Sequence, residues 1–450
     1  MRILIANKYL YPRGGDCLYT LRLMDLLRDA GHEVIPFSMS HPENVKTGFE
    51  KYFVPYIDFR EELGKFGFNS AVKVTSRSII NKQAAALMER IIIDHKPDIV
   101  HLNNIHHQLT PSILEPAVKQ NIPIVWTLHD YILTCPNHNH LRSGSICTKC
   151  AGGNNAHALI HRCKKRSFGA SLLAALESTY YSPEKLSNMV NKFICPSRFM
   201  ADFLIDNGLP PGRVTNIPNF LPSIKTEDRG HDYFLYFGRL SGEKGIDILL
   251  EAMSLLKKGK LIIAGDGPDG EKLMLKAKTL GLSNVEFIGR KTPESIIELL
   301  SECLAVIMPS ICWENLPYSL MESMAAGKLV IGSRIGGIPE MIEHGKNGLL
   351  FEPGNAVQLT DCMNTLLADT ELARRMGESG REKARNLYSP EKHLEDLVKL
   401  YSNAIARYAF SINDELSNIK TGESDKNNSL SMVEADDDLF TVDRQETLRG

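Results

Sequence analysis

The chain has 450 residues, 43 % of them apolar and 24 % charged, which fits two or three domains of an ordinary enzyme and excludes a wholly disordered protein. No uncharged apolar run approaches the roughly 18 residues of a membrane-spanning helix, and no secretory signal is read at the N-terminus. Nine cysteines are too sparse for a disulfide scaffold, so a cytoplasmic protein is expected.

The net charge of −2 hides an asymmetry: residues 411–450 hold ten acidic and four basic side chains, whereas 1–215 hold 25 basic and 18 acidic. A mildly basic first half suits a phosphate-bearing ligand or an anionic membrane surface.

Taken in chain order, apolar runs predict buried strands at Ile3–Asn7, Val34–Ser38, Ile99–Leu102, Ile124–Leu128 and Lys192–Cys195. Helical spacing covers Leu18–Ala30, Asn81–His95 and Pro111–Gln120, while Glu50 to Phe68 is aromatic, aperiodic and without assignment. The second half repeats the alternation. Strands are expected at Tyr233–Phe237, Leu261–Ala264, Val285–Gly289, Leu304–Met308 and Leu329–Ser333. Helices are expected over Ile246–Lys257, Glu271–Leu280, Pro293–Glu302 and Leu316–Ala326.

This is the pattern of α/β proteins with helices on both faces of a parallel sheet. The turn-rich Asn216-Ile217-Pro218-Asn219 divides a first domain, 1–215, from a second, 216–388. A helix over 389–410 and a disordered acidic tail over 411–450 should follow. Two tandem doubly wound Rossmann-like domains then face one another across a cleft at the carboxyl ends of their strands.

Gly14-Gly15 lies between the first strand and the first helix, where the backbone can approach a ligand and a helix N-terminus can meet an anion. It is not a dinucleotide fingerprint, and a plain tight turn explains the pair as well. In Phe237-Gly238-Arg239 and on to Lys244, two cations flank another strand-to-helix loop, an arrangement suited to a diphosphate, with ordinary surface cations as the alternative. Glu314 and Glu322 stand eight residues apart across a helix start with Pro317 in its first turn. Both can accept hydrogen bonds from sugar or ribose hydroxyls, although either alone would pass for a surface charge.

Together these residues resemble the retaining family 4 glycosyltransferases of the GT-B fold, over about residues 1–410. The likeness runs through Gly14-Gly15, His129-Asp130, Phe237-Gly238-Arg239 with Lys244, and Ala264-Gly265-Asp266-Gly267-Pro268. It continues through Glu314 and Glu322, Ala325-Ala326-Gly327, Ser333-x2-Gly336-Gly337-x-Pro339-Glu340 and Asn347-Gly348.

The resemblance implies sugar transfer from a nucleotide-diphosphate donor to a glycan or lipid-linked acceptor, with retention at the anomeric carbon, in the synthesis of surface polysaccharide. It implies that Arg239 and Lys244 neutralise the leaving diphosphate, that Glu322 holds the ribose and that Glu314 contacts the donor sugar. The backbone of Asn315, Leu316 and Pro317 would line that sugar and the phosphates, with the base near Ile288 and Arg290. His129 would face the reacting centre, Gly14 and Gly15 would approach the donor, and no catalytic metal is implied.

Cys135, Cys147, Cys150 and Cys163 place four of the nine cysteines within one loop, 135–163. The two-residue gap of Cys147 and Cys150 is a zinc half-site, and the other two thiolates would complete a tetrahedral set. Unlinked thiols and a redox pair are the alternatives. Arg162, Lys164, Lys165 and Arg166 follow, able to touch an acceptor phosphate or a membrane, or simply to face water. The modest basic bias, without interleaved aromatics, argues against nucleic acid. Two rival functions share the pattern: a nucleotide-sugar epimerase of the same fold, and a non-catalytic, zinc-containing nucleotide-binding scaffold.

Overall fold

In the computed structural model, which describes residues 1–56, 78–224, 226–227, 229–230 and 232–421, the first half contains eight strands. These are β1 (Arg2–Ala6), β2 (Glu33–Phe37), β3 (Ile99–Leu102), β4 (Ile124–Thr127), β5 (Leu141–Arg142), β6 (Ser145–Ile146), β7 (Lys192–Cys195) and β8 (Val214–Asn216). Six of them form a sheet in the order β2-β1-β3-β4-β7-β8, with every pair parallel, while β5 and β6 make a separate small hairpin.

The second sheet uses β9 (Tyr233–Phe237), β10 (Leu261–Ala264), β11 (Val285–Gly289), β12 (Cys303–Met308), β13 (Leu329–Ser333) and β14 (Gly348–Phe351). Its order is β11-β10-β9-β12-β13-β14, again all parallel. Counted within the domain this is 3-2-1-4-5-6, the doubly wound order whose ligand crevice opens where the winding reverses, between β9 and β12. The corresponding reversal in the first sheet lies between β1 and β3.

The longer helices are α1 (Gly15–Asp29), α2 (Lys82–His95), α3 (Leu114–Lys119), α4 (Phe168–Tyr180), α5 (Arg198–Asp206), α6 (Ile246–Leu255), α7 (Gly270–Thr279), α8 (Pro293–Glu302), α9 (Tyr318–Ala325), α10 (Ala356–Ala368), α11 (Thr370–Leu387) and α12 (Pro390–Thr421). Their starts follow the usual chemistry of orphan N–H groups. Asn81, Ser167, Ser197, Thr292, Asn355 and Asp369 each accept a hydrogen bond from a backbone N–H in the first turn. The buried strand faces then pack against these helices on both sides of each sheet.

Several elements lie beyond the sequence reading. The short β8, β14 and the β5–β6 hairpin have too few residues for a clear period, and α4, α5, α10 and α11 were not anticipated. The 389–410 helix runs on to Thr421, so the first eleven residues of the expected tail are helical. Ile412, Leu416 and Ile419 continue the helical spacing there, which outlasts the change to polar composition. Residues 422–450 lie outside the described residues, as does most of the unassigned Glu50–Phe68 stretch. Its described part is one turn of 3₁₀ helix at Glu50–Tyr52 and a bridge from Val54 to Met39.

The start of α12 crosses back to the first sheet. Leu397 and Tyr401 are buried in one cluster with Ile3, Ile5 and Tyr19. His101 of β3 is hydrogen-bonded to Tyr401 at 2.5 Å and to Thr127 at 2.7 Å. His393 bridges the Pro218 carbonyl, 2.8 Å, and the Tyr19 hydroxyl, 3.1 Å. The boundary residues 216–219 are thereby held from the far end of the chain.

Candidate functional site

Arg239 and Lys244 follow β9 and Glu314 follows β12, so the predicted cations and the first glutamate flank the winding reversal of the second sheet. Lys244 Nζ donates to Glu314 Oε1 at 2.7 Å, and Ser310 Oγ donates to the same oxygen at 2.6 Å. Burial works against the charge on Lys244, but Glu314 more than compensates and its pKa is raised. Gly245 makes the tight exit from this loop: at φ +66° a Cβ there would lie 1.9 Å from the Pro309 carbonyl oxygen. Arg239 is exposed, and among the described residues its guanidinium has no ion-pair or hydrogen-bond partner. One cation is therefore neutralised by the protein, and the other is free for an anion.

Glu314 is 9 % exposed, and its backbone is packed against Gly336 and Gly337. Gly337 N–H donates to the Glu314 carbonyl at 2.8 Å, and a Cβ on Gly337 would stand 1.9 Å from the Asn315 carbonyl oxygen. The Asn315 side chain turns toward the first domain, donating to the Leu128 carbonyl at 3.1 Å and accepting from Ser197 Oγ at 2.7 Å. Leu316 is buried in the second-domain core and Pro317 caps the start of α9. These contacts occupy the Asn315 and Leu316 side chains, and the Pro317 carbonyl accepts from the N–H groups of Leu320 and Met321.

The Asn315 bond brings His129 into the same neighbourhood, since Leu128 precedes it. His129 Nε2 is 3.0 Å from Asn103 Oδ1, and its ring lies edge-on to Tyr19 at 5.0 Å. Burial lowers its pKa despite the nearby Asp16 and Asp130 carboxylates, so the imidazole is neutral. A narrow cavity lined by Asn103, Asn104, Thr127, His129 and Asp130 opens beside it. Gly14 caps α1, and a Cβ on Gly15 would meet the Tyr318 ring at 3.3 Å, which places the first glycine motif over the start of α9.

Glu322 projects from α9 toward Arg22 of α1, with a closest approach of 3.9 Å. Burial raises its pKa to about 7, with the Arg22 charge acting in the opposite sense. Arg22 also lies over the Tyr318 ring at 5.3 Å. Sequence reasoning missed Arg22 and Tyr318, whose contacts lie in the opposite domain, and Ser310 and Asn103, which support Glu314 and His129 from within the same domain but belong to no motif. Ile288 lies near the end of β11 and Arg290 just after it, two strands from β9 on the sheet edge, and Arg290 is exposed. A hollow of about 300 Å³ lined by Thr226, Arg229, Glu298 and Ser301 includes none of the motif residues.

Cys135, Cys147, Cys150 and Cys163 line one small cavity, all as free thiols. Burial raises the Cys135 pKa, with the nearby backbone of residues 137–140 acting in the opposite sense. Among the described residues no three His, Cys, Asp or Glu side chains stand in metal-binding geometry. The loop leans on the second domain through His140, which bonds the Cys147 carbonyl at 2.9 Å and packs on Trp313 at 4.9 Å.

Residues 14–222 match the Glycosyltransferase Family 4 model and residues 220–383 match Glycosyl transferases group 1, in that order and overlapping at 220–222. The chain belongs to these glycosyltransferases. It is 29 % identical over 404 residues to an uncharacterized glycosyltransferase of Methanocaldococcus jannaschii, covering 89 % of this chain and 98 % of that one. It is 26 % identical to the N-acetyl-alpha-D-glucosaminyl L-malate synthase of Bacillus anthracis, covering 88 % and 96 %. Anabaena HepE in complex with UDP and glucose superposes with a TM-score of 0.62 at 20 % identity, covering 90 % of this glycosyltransferase and all of HepE. That likeness shows the GT-B fold. No described helix of the glycosyltransferase is long and apolar enough to cross a membrane.

Proposed function

We propose that this glycosyltransferase moves a sugar from a nucleoside-diphosphate donor to a glycan or lipid-linked acceptor, with retention at the anomeric carbon, in surface-polysaccharide synthesis. The observation that carries the reading is the Lys244–Glu314 pair beside the unpaired Arg239 at the winding reversal of the second sheet. Arg239 binds the diphosphate directly. Lys244, held by Glu314, adds a fixed positive charge near the leaving group, and such preorganised charge lowers a barrier without reorganisation during the reaction. Glu322, in its ionised form, accepts from the ribose hydroxyls.

The backbone of 315–317 lines the donor sugar, and Ile288 and Arg290 bound the base. Glu314 positions Lys244 and presents its remaining oxygen to a sugar hydroxyl. His129 is neutral and bonded to Asn103, so it faces the anomeric centre as a dipole rather than as a cation. Gly14 and Gly15 bring the first domain's backbone toward the donor over Tyr318. We assign no catalytic metal to this scheme.

The four-cysteine loop is proposed to hold one structural zinc. Its support is the one cavity that the four thiols line, together with the two-residue gap between Cys147 and Cys150. Incubation with a panel of nucleotide sugars, with and without an acceptor glycan, tests the transfer. Acceptor-dependent release of nucleoside diphosphate is expected, whereas isomerised donor without release would mark an epimerase, and binding without turnover a scaffold.

A further inference from the structure

Helix α4 is built inside out. Its buried residues are Ser171, Ala174, Ala175 and Glu177, whereas four of its five large apolar residues point to solvent and Leu173 is half-buried. Phe168, Leu172, Leu176 and Tyr180 are spaced four apart and are 55, 38, 44 and 41 % exposed, and Ile160 just before the helix is 68 % exposed. Spacing of four residues stacks these side chains along one stripe. An ordinary surface helix would bury that stripe and expose the carboxylate.

The inversion is held in place by Glu177. Its carboxylate is 3 % exposed, with His107 Nδ1 at 3.0 Å and His106 Nδ1 at 3.6 Å. Burial disfavours the charge, but the two histidines outweigh it and keep Glu177 ionised. Rotating the helix to hide its leucines would strip the carboxylate of these partners.

The stripe is bordered by cations. Arg162, Lys165 and Arg166 are exposed just before the N-terminus of α4, and Lys185 lies beyond its end with Nζ 3.8 Å from the Tyr180 ring centroid. Glu184 is the acidic residue among them. We propose that α4 and these cations form a docking face for an anionic lipid bilayer, with the stripe entering the headgroup boundary and the cations meeting lipid phosphates. An apolar stripe edged by Lys and Arg is what such an interface requires. A second copy fits less well, because a two-fold contact through this stripe would oppose one basic border to another.

The face lies in the first domain, so it would bring a membrane-borne acceptor to that side of the cleft. It does not depend on the transfer chemistry, and the test separates the two. The full chain is sedimented with vesicles of phosphatidylglycerol and phosphatidylcholine, and with vesicles of phosphatidylcholine alone, at low and high salt. Binding to the anionic vesicles that weakens with salt is expected. The L172S/L176S double variant should bind at least tenfold more weakly, and K165E/R166E should lose most of the salt-sensitive part. Turnover on a water-soluble acceptor should stay unchanged in both. Absence of vesicle binding by the unaltered chain, equal binding by the L172S/L176S variant, or dimerisation in lipid-free solution abolished by L172S/L176S would each overturn the proposal.

Discussion

Lys244 Nζ and Glu314 Oε1 are 2.7 Å apart, although they follow different strands and are separated by 70 residues of chain. The pair is mostly shielded, with side-chain exposures of 29 and 11 %. Lys244→Ala should therefore do two things: lower turnover by about 10²-fold or more, and destabilise the fold by about 1–3 kcal/mol by leaving the buried Glu314 carboxylate without its cation and with Ser310 as its remaining donor. Arg239→Ala should lower turnover similarly with an unchanged melting temperature, because Arg239 is exposed and unpaired. Steady-state kinetics with thermal unfolding on both variants distinguishes the two roles. Full activity in the double variant would contradict the diphosphate assignment.

Glu322 is expected to cost stability in the empty enzyme. Its folded pKa is about 7 against an ordinary 4.5, so between these values the folded chain binds more protons than the unfolded one. Its contribution to stability then falls as pH rises through that window, and the loss is complete above it. Glu322→Gln should raise stability at about pH 8 by on the order of 1–3 kcal/mol while weakening free nucleoside diphosphate. Glu314→Gln should leave nucleotide affinity nearly intact and reduce transfer. Calorimetry giving equal affinity losses for both variants would refute the separate roles.

Acid should act at the joint between α12 and the first sheet. Burial lowers His101 to about 3 and His393 to about 4, from 6.5. The unfolded chain therefore binds more protons below 6.5, so stability is full above that pH and falls as pH drops toward 4. Each histidine contributes a slope of about 1.4 kcal/mol per pH unit within its window. His101→Gln should reduce that slope in urea unfolding between about pH 6 and 5; an unchanged slope would show that this histidine is not the sensor.

Glu340 joins the domains through the N-terminus of α5. Its carboxylate accepts from the backbone N–H groups of Arg198, at 2.8 Å, and Phe199, at 2.5 Å. A carboxylate there answers two orphan donors and the positive end of the helix. Glu340→Ala should cost about 0.5–2 kcal/mol, the range of a lost cap, and loosen the approach of the domains. Raised KM for donor with a larger radius of gyration by solution scattering is the expected signature, and neither changing would leave Glu340 a surface acid.

If the cysteine loop holds zinc, protein purified without metal resins should carry about one zinc per chain, with sulfur at about 2.3 Å in X-ray absorption. Cys147→Ser should lose the metal and Cys362→Ser should keep it. Removal by chelator should weaken transfer through the His140–Trp313 contact and spare nucleotide affinity. Metal-free protein with full activity would reject the site.

What the sequence determined by itself is whatever depends on near neighbours in the chain. Alternating apolar runs and helical spacing placed most of the longer strands, the second domain's early helices and the strand-to-helix loops that carry Gly14, Arg239 and Glu314. It also placed the four cysteines close enough to share a cavity. The tertiary structure alone decided which of these groups meet: that Glu314 holds Lys244, that Arg22 reaches Glu322, that Asn315 ties its loop to Leu128, and that α12 returns to β3 through Tyr401 and His101. The orientation of α4 belongs here too, since Glu177 is buried against two histidines from a distant loop while Leu172 and Leu176 stay exposed. The reason is the range of the forces. Strand and helix preference arises within a few residues, whereas an ion pair or a buried carboxylate is stabilised only by partners that folding brings from far along the chain.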